Sequence, residues 1–242
     1  MKLYLPDVTL VMIDGTCPEL AALSLRDSMA QVDCAAALAC SPQDLGVPGT
    51  QWIHVPSWND RLSASAFIWY ELPHLVRTGW MLLTSWDAWV IDRTLWSEEF
   101  LRYDYVGAPW WYEDGLNVGH GLLRSRRLLQ FLTDNKETFP LAHPEDTLLS
   151  RGYRPALEQH GFRWAPEPLA ARFMFECTRP SPHSRHFMFH DSFNFPLVLS
   201  GERLAERVRL MRENPYLRRG NKIAELDGGR RPLILPRLAA TA

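Results

Sequence analysis

The chain's first patterned segment is Val8-Thr9-Leu10-Val11-Met12-Ile13, an apolar run rich in β-branched residues that stops at Asp14-Gly15-Thr16. A short run of this kind, bounded by turn residues, predicts a buried parallel strand followed by a loop. Pro18 then introduces Glu19 to Met29, where Leu20, Leu23 and Leu25 with Ala21 and Ala22 carry helical spacing. Ala35 to Cys40 and Gln51 to Val55 predict two further strands, and Ala64 to Val76 a helix with Phe67, Ile68, Leu72, Leu75 and Val76 on its apolar side. Trp80 to Leu83 reads as a central strand. Strand and helix alternate, so the pattern predicts one α/β domain with a mostly parallel central sheet flanked by helices.

Further along, Leu95 to Leu101 predicts a short helical turn, and Tyr105-Val106-Gly107 a short strand entering the aromatic loop Pro109-Trp110-Trp111-Tyr112. Gly115 to Gly121 carries too many glycines for a helix and suits a loop whose backbone approaches a ligand closely. Leu122 to Leu129 has helical spacing with a basic face, and Pro144-Glu145-Asp146 starts another helix with its acids in the first turn. The main domain is expected to span residues 1–202. Residues 203–242 then form a charged, locally basic helix and a Pro-interrupted apolar tail, packed on that domain or on a partner. Nothing in this pattern speaks to the oligomeric state.

Composition narrows the class. With 242 residues, 46% hydrophobic and 22% charged, the chain can bury a sizeable core, and its composition is that of a globular protein. A formal charge of −2 offers no field for holding nucleic acid, so nucleic acid is not an expected partner. Cys17, Cys34, Cys40 and Cys177 lack CxxC spacing and read as reduced thiols. The start has neither the flanks nor the run of a signal peptide, and no segment approaches the ~18 apolar residues of a membrane span. The expected location is cytoplasmic.

Chemistry gathers around Asp87. It interrupts two apolar runs, Trp80-Met81-Leu82-Leu83 and Ala88-Trp89-Val90-Ile91. An unpaired buried carboxylate is expensive, so the acid belongs at a strand end or against a partner. Ligands of open α/β sheets collect outside strand C-termini, and Asp14 closes another such strand. The two acids can share a cleft.

The order of Ser85-Trp86-Asp87-Ala88-Trp89, Leu95-Trp96-Ser97 and Tyr103-Asp104-Tyr105-Val106-Gly107-Ala108-Pro109-Trp110 resembles a bacterial and fungal family of glycosyltransferase-like domains. These domains are similar to the GT-A class of nucleotide-sugar transferases. The resemblance runs from about residue 8 to 195 and implies a single-domain, GT-A-like (Rossmann-like) fold. It also implies transfer of a sugar from a nucleotide-diphosphate donor to a glycan or other hydroxyl acceptor, as in polysaccharide biosynthesis, with a divalent metal, manganese or magnesium.

Residue by residue, Ser85-Trp86-Asp87 occupies the place of the DxD motif with only its last acid present, which makes Asp87 a metal ligand and Trp86 part of the donor site. His190, after Phe187-Met188-Phe189, resembles the family's late histidine, a second metal or diphosphate contact. Asp14 and Thr16 would contact nucleotide. Pro144-Glu145-Asp146 resembles an element that supplies the acceptor's catalytic base; Asp146 is the expected base and Glu145 its neighbour on the acceptor, an arrangement compatible with inversion. The loop Gly119-His120-Gly121 departs from the family's Gly-Asn-Gly-Gly, and His120 would face donor sugar or acceptor. Arg124 would reach the diphosphate, and Trp110 and Trp111 would stack on acceptor sugar while Trp89 fills the core.

Bland roles compete with each assignment. Asp87 can satisfy a turn, His190 can be structural, and Glu145 and Asp146 can stabilise a helix N-terminus. Two other functions follow from the same residues: a non-catalytic sugar- or nucleotide-binding module with a degenerate site, for which Ser85 and the altered loop speak, and a metal-dependent nucleotide-sugar hydrolase.

Overall fold

A computed structural model describes residues 1–58, 60–109, 122–176 and 185–219. The central sheet has six strands in the order β3-β2-β1-β4-β7-β6. Its members are β1 (Leu3–Ile13), β2 (Val32–Ser41), β3 (Gln51–His54), β4 (Trp80–Thr84), β6 (Tyr105–Val106) and β7 (Leu123–Ser125). β3, β2, β1 and β4 run parallel, whereas β7 runs antiparallel to both β4 and β6. The sheet is therefore mixed, which corrects the mostly parallel expectation. The antiparallel strand came from Leu123-Arg124-Ser125, a stretch whose spacing read as helix. Ser125 is instead the N-cap of α4 (Arg126–Asp134), its Oγ accepting the Leu128 N–H at 3.2 Å. The helix starts only where that cap allows.

β1 begins at Leu3 rather than Val8, because its pairing with β2 shifts register between Leu5 and Thr9 and so carries the strand past Pro6. α1 (Pro18–Gln31) runs directly into β2. The helix expected over 64–76 is α2 (Arg61–Ala66), capped by Asp60, then a wide π-turn at Phe67–Glu71, then α3 (Leu72–Leu75). Val8, Leu10, Val11 and Met12 of β1 and Met81, Leu82 and Leu83 of β4 are buried, with Ala21, Ala22 and Leu25 of α1 and Leu128, Leu129 and Leu132 of α4 in the same core.

A second, three-stranded sheet has the order β5-β9-β8, formed by β5 (Ala88–Val90), β8 (Met174–Phe175) and β9 (Met188–His190). The two apolar runs that flank Asp87 thus belong to different sheets. The later helical segments are α5 (Glu145–Thr147), a π-turn (Leu148–Gly152), α6 (Arg154–Gln159), α7 (Glu167–Phe173), α8 (Phe195–Val198), α9 (Gly201–Glu213) and α10 (Pro215–Arg219). No helix among the described residues is long and apolar enough to cross a membrane. The three described cysteines are free, and burial pushes the Cys34 and Cys40 thiols up to about 12.

α9 straddles the expected boundary at 202 and is tied to α1. Arg207, 3% exposed, lays its guanidinium 3.9 Å from the centre of the Trp89 ring, and donates to Asp27 at 2.6 Å and Ser24 at 3.0 Å. Arg203 also pairs with Asp27, and the Asn214 amide donates to the Thr16 carbonyl at 2.9 Å. Residues up to 219 therefore belong to this body, while 220–242 lie outside the described residues. A cation desolvated over an aromatic face contributes about 2 kcal/mol, and its aliphatic stem adds packing. We expect Arg207→Ala to lower the urea midpoint by at least that equivalent; an unchanged midpoint would mean α9 contributes nothing to the fold.

Candidate functional site

The site is assembled by strand register. β1 and β4 pair in parallel from Val8↔Trp80 to Met12↔Thr84, so the residues that leave their C-terminal ends emerge side by side. β4 leaves through a two-residue turn: Ser85 and Ala88 exchange backbone hydrogen bonds at 3.1 and 3.2 Å, with Trp86-Asp87 at the tip. That turn carries the chain from the central sheet into β5. β5 pairs with β9 so that Ala88 faces His190, and the Asp191 N–H closes the corner on the Asp87 carbonyl at 3.0 Å. β8 lies parallel to β9 with Phe175↔Phe189, which sets the next residue, Glu176, beside His190.

Four polar side chains follow from this geometry. Asp87 is 6% exposed and its Oδ1 accepts the Ser85 hydroxyl at 2.8 Å. His190 Nε2 stands 3.8 Å from the same oxygen, and His190 Nδ1 donates to Glu176 Oε1 at 2.5 Å. Burial works against the imidazolium, but the charges of Glu176 and then Asp87 overcome it and hold His190 up at about 9. At neutral pH the favoured ring form donates from both nitrogens. It suits contact with an anionic oxygen, and direct metal ligation requires loss of the Nε2 proton. Asp191 turns the chain at φ 82°, a left-handed conformation Asp tolerates better than most residues.

Asp14 is 3% exposed, and both of its oxygens face the start of α1: Oδ2 accepts from Thr16 N at 3.2 Å and Cys17 N at 2.8 Å. Burial, opposed by those backbone bonds and reinforced by the Asp87 charge, raises its pKa to about 6. Asp14 and Thr16, expected on a nucleotide, are thus joined to each other in closing the loop ahead of α1. Gly15 between them is required by sterics, since a Cβ there would stand 2.7 Å from Trp58 Cε3. Trp86 is half-buried, edge-on to Phe195, with its carbonyl accepting from Ser24 Oγ at 2.8 Å; Trp89 is 2% exposed.

The acidic pair divides by helix rotation. Glu145, expected to face an acceptor, is 4% exposed and meets Arg124 in a bidentate ion pair, at 2.6 Å to Oε1 and 3.1 Å to Oε2, while Trp69 Nε1 donates to Oε2 at 3.2 Å. Arg124, expected on a diphosphate, is fully buried in β7 with its guanidinium held by that carboxylate and lying 5.5 Å from the centre of the Tyr105 ring. Both side chains are engaged with each other inside the core. Asp146 is half-buried, with Oδ1 accepting the Thr147 N–H at 2.8 Å. Burial first, then Glu145, raises it to about 6, and the Glu176 charge contributes too.

Trp110, Trp111, Gly119, His120 and Gly121 lie outside the described residues. Glu176 is the polar residue that sequence reasoning missed. Its signal was the same as that of Asp87, an acid directly after an apolar run, here Ala170 to Phe175 broken by Arg172. Among the described residues no three His, Cys, Asp or Glu side chains converge as a metal cage. The donor set is one carboxylate and one imidazole, which suits a hard cation only when phosphate and water oxygens complete its shell.

Removing one member of a buried ion pair leaves the other uncompensated and costs about 3–5 kcal/mol. Glu145→Ala is therefore expected to destabilise the fold by that amount in chemical denaturation. A loss of activity at unchanged stability would instead return Glu145 to the acceptor.

No curated protein gives a significant sequence match. In structural comparison the chain is similar to an active-site mutant of LgtC, at 12% identity and a TM-score of 0.46, over 86% of this chain and 96% of that one. It is also similar to the apo-form glycosyltransferase GlyE of Streptococcus pneumoniae TIGR4, at 14% identity and a TM-score of 0.38, over 69% of this chain and 46% of that one, so it spans less than half of GlyE's length. One family profile matches residues 51–186. That match covers more than half of the sequence and takes in Asp87, Arg124, Glu145, Asp146 and Glu176; the chain belongs to the family described as Protein of unknown function (DUF5672).

Proposed function

We propose that this chain is a GT-A-like glycosyltransferase, moving a sugar from a nucleotide-diphosphate donor to the hydroxyl of a glycan or related acceptor. The observation that carries the reading is the meeting of Asp87 and His190 at the end of a central parallel strand; Asp146, a carboxylate raised to about 6 in part by the charge of Glu176, supports it. The order of motifs from Ser85 to Trp110 supports the same reading.

Each residue then has a task its surroundings allow. Asp14 closes the loop at the first strand end and presents Thr16 beside the start of α1. Asp87 and His190 would hold the diphosphate end of the donor and share in binding manganese or magnesium, a cation that would supply countercharge to the diphosphate. Asp146 takes the proton from the acceptor hydroxyl as that oxygen attacks the anomeric carbon. One such base, on the face opposite the leaving group, makes inversion the expected outcome. Glu145 and Arg124 keep Asp146 in place by anchoring the short helix that bears it.

A specific observation favours a second reading. Ser85 stands where the motif's first acid would be, and its hydroxyl is bonded to Asp87. A site so reduced also fits a sugar- or nucleotide-binding module without turnover.

A calorimetric or thermal-shift screen of nucleoside diphosphates and nucleotide sugars, with and without manganese, separates the two, because a ligand of the native state raises its apparent stability. Metal-dependent stabilisation followed by transfer to an acceptor supports the transferase; binding without turnover favours the module, and release of free sugar alone identifies a hydrolase. Asp87→Ala is expected to abolish the metal-dependent part of donor binding and leave the fold intact. Full donor affinity in that variant removes Asp87 from the site.

Asp146 sets the pH dependence. As a base it must be ionised, so kcat/KM should rise with pH through about 6 and level off above it. Asp146→Asn should remove that rising limb and lower turnover about a hundred- to ten-thousand-fold while sparing donor affinity. An unaltered limb in the variant would assign the base elsewhere.

A further inference from the structure

Glu176 has no role in the scheme above, yet it makes the shortest contact in the cluster. It is 6% exposed and ends β8, one residue past the pair Phe175↔Phe189, so the parallel register itself delivers its carboxylate to His190. The distance from His190 Nδ1 to Glu176 Oε1 is 2.5 Å, against 3.8 Å from Nε2 to Asp87. The two backbones are also tied to each other: the His190 carbonyl accepts the Asn194 amide at 2.7 Å, and the same amide reaches the Glu176 carbonyl at 3.5 Å. One ring nitrogen is thereby committed to Glu176 and the other is turned toward Asp87.

We infer that Glu176 is a positioning residue: by accepting the Nδ1–H of His190 it fixes the ring so that Nε2 is presented beside Asp87 to the diphosphate end of the donor. A charged acceptor makes that bond strong and directional, and an imidazole used for ligation or anion contact needs its second nitrogen anchored in this way. Without the anchor the ring can turn about its side-chain torsions, and the two-residue anchor is reduced to Asp87. The inference rests on the donor-site reading of Asp87 and His190. It adds a third residue, fourteen positions away from His190 in sequence, that reaches the donor only through the histidine.

Two measurements on the full chain test it. The first is the proton spectrum of the free protein, in which a ring N–H bound to a carboxylate at this distance gives a strongly downfield resonance. That signal should be present in the wild type, absent in both Glu176→Ala and His190→Ala, and retained in Glu176→Gln, whose side-chain carbonyl still accepts. The second is the affinity for manganese(II) with inorganic pyrophosphate, a probe that carries the donor's diphosphate chemistry without its base or sugar. Glu176→Ala should weaken it about 10–100-fold, the range typical for loss of a partner behind a ligating histidine, with part of the affinity restored by Glu176→Gln. In the double variant Glu176→Ala/His190→Ala the loss should be no larger than in His190→Ala, because Glu176 acts through the ring.

Additive losses in the double variant, or unchanged affinity in a folded Glu176→Ala, overturn the inference. So does a wild-type spectrum without the downfield proton. If the wild type itself does not bind the probe, the donor-site reading falls, and the spectra of the wild type and Glu176→Gln still decide whether Glu176 orients the ring.

Discussion

Asp87 occupies the tip of the turn by which the chain leaves one sheet for another, and the cost of keeping a carboxylate there constrains what surrounds it. A charge taken out of water must meet a cation or hydrogen-bond donors. The local chain supplies one donor, the Ser85 hydroxyl two residues back. A cation comes from β9, whose pairing with β5 puts His190 across from Ala88. His190 is itself buried against its charge, and β8 answers with Glu176. The small sheet thus serves as the support of one acid on the central sheet.

The other buried charges show by contrast which groups are committed to the fold. Asp104 accepts from Ser125, from the Arg127 guanidinium and from the Arg163 backbone, so its carboxylate is taken up in joining β6, α4 and the segment before Trp164. Arg124 and Glu145 close on each other, and Arg207 closes on Asp27 and Trp89. Each arrangement pairs a cation with an acid at normal hydrogen-bond distance, as a satisfied interior requires. Asp146 differs: the donor on its carboxylate is the neighbouring Thr147 N–H, while its acidic neighbours and burial push its proton affinity up. A carboxylate held toward the neutral form in this way is a candidate for proton exchange, the role proposed for it above.

How much of this was legible in the sequence depended on the range of the interaction. β1, α1 and β4 could be read because one buried stripe or run decides each. Asp87 was legible for the same reason, since an acid between apolar runs is anomalous in any fold. The strand at Leu123–Ser125 was not, because a three-residue strand is defined by its partners β4 and β6, and its leucines and arginine also fit a helical period. The π-turn inside the helix expected at 64–76 left no local trace either. Glu145 and Asp146 stood out as a pair, yet which of them turns inward depends on Arg124, 21 residues earlier in the chain. Glu176 was invisible for a similar reason: it matters only because β8 and β9 pair in one register.

The charge balance of the cluster carries one more consequence. Asp14 feels the charge of Asp87, Asp146 that of Glu145 and Glu176, and His190 those of Glu176 and Asp87. Arg124 is paired with Glu145 in the core, and His190 is the cation shared by Asp87 and Glu176. Acids that raise one another's proton affinity in this way disfavour a bare polyanion beside them. A diphosphate can be held here when it arrives with its own countercharge, which is what a divalent cation bound to the phosphates provides. On the transferase reading proposed above, a divalent cation would arrive largely on the donor, and Asp87 with His190 would supply the protein's share of its binding.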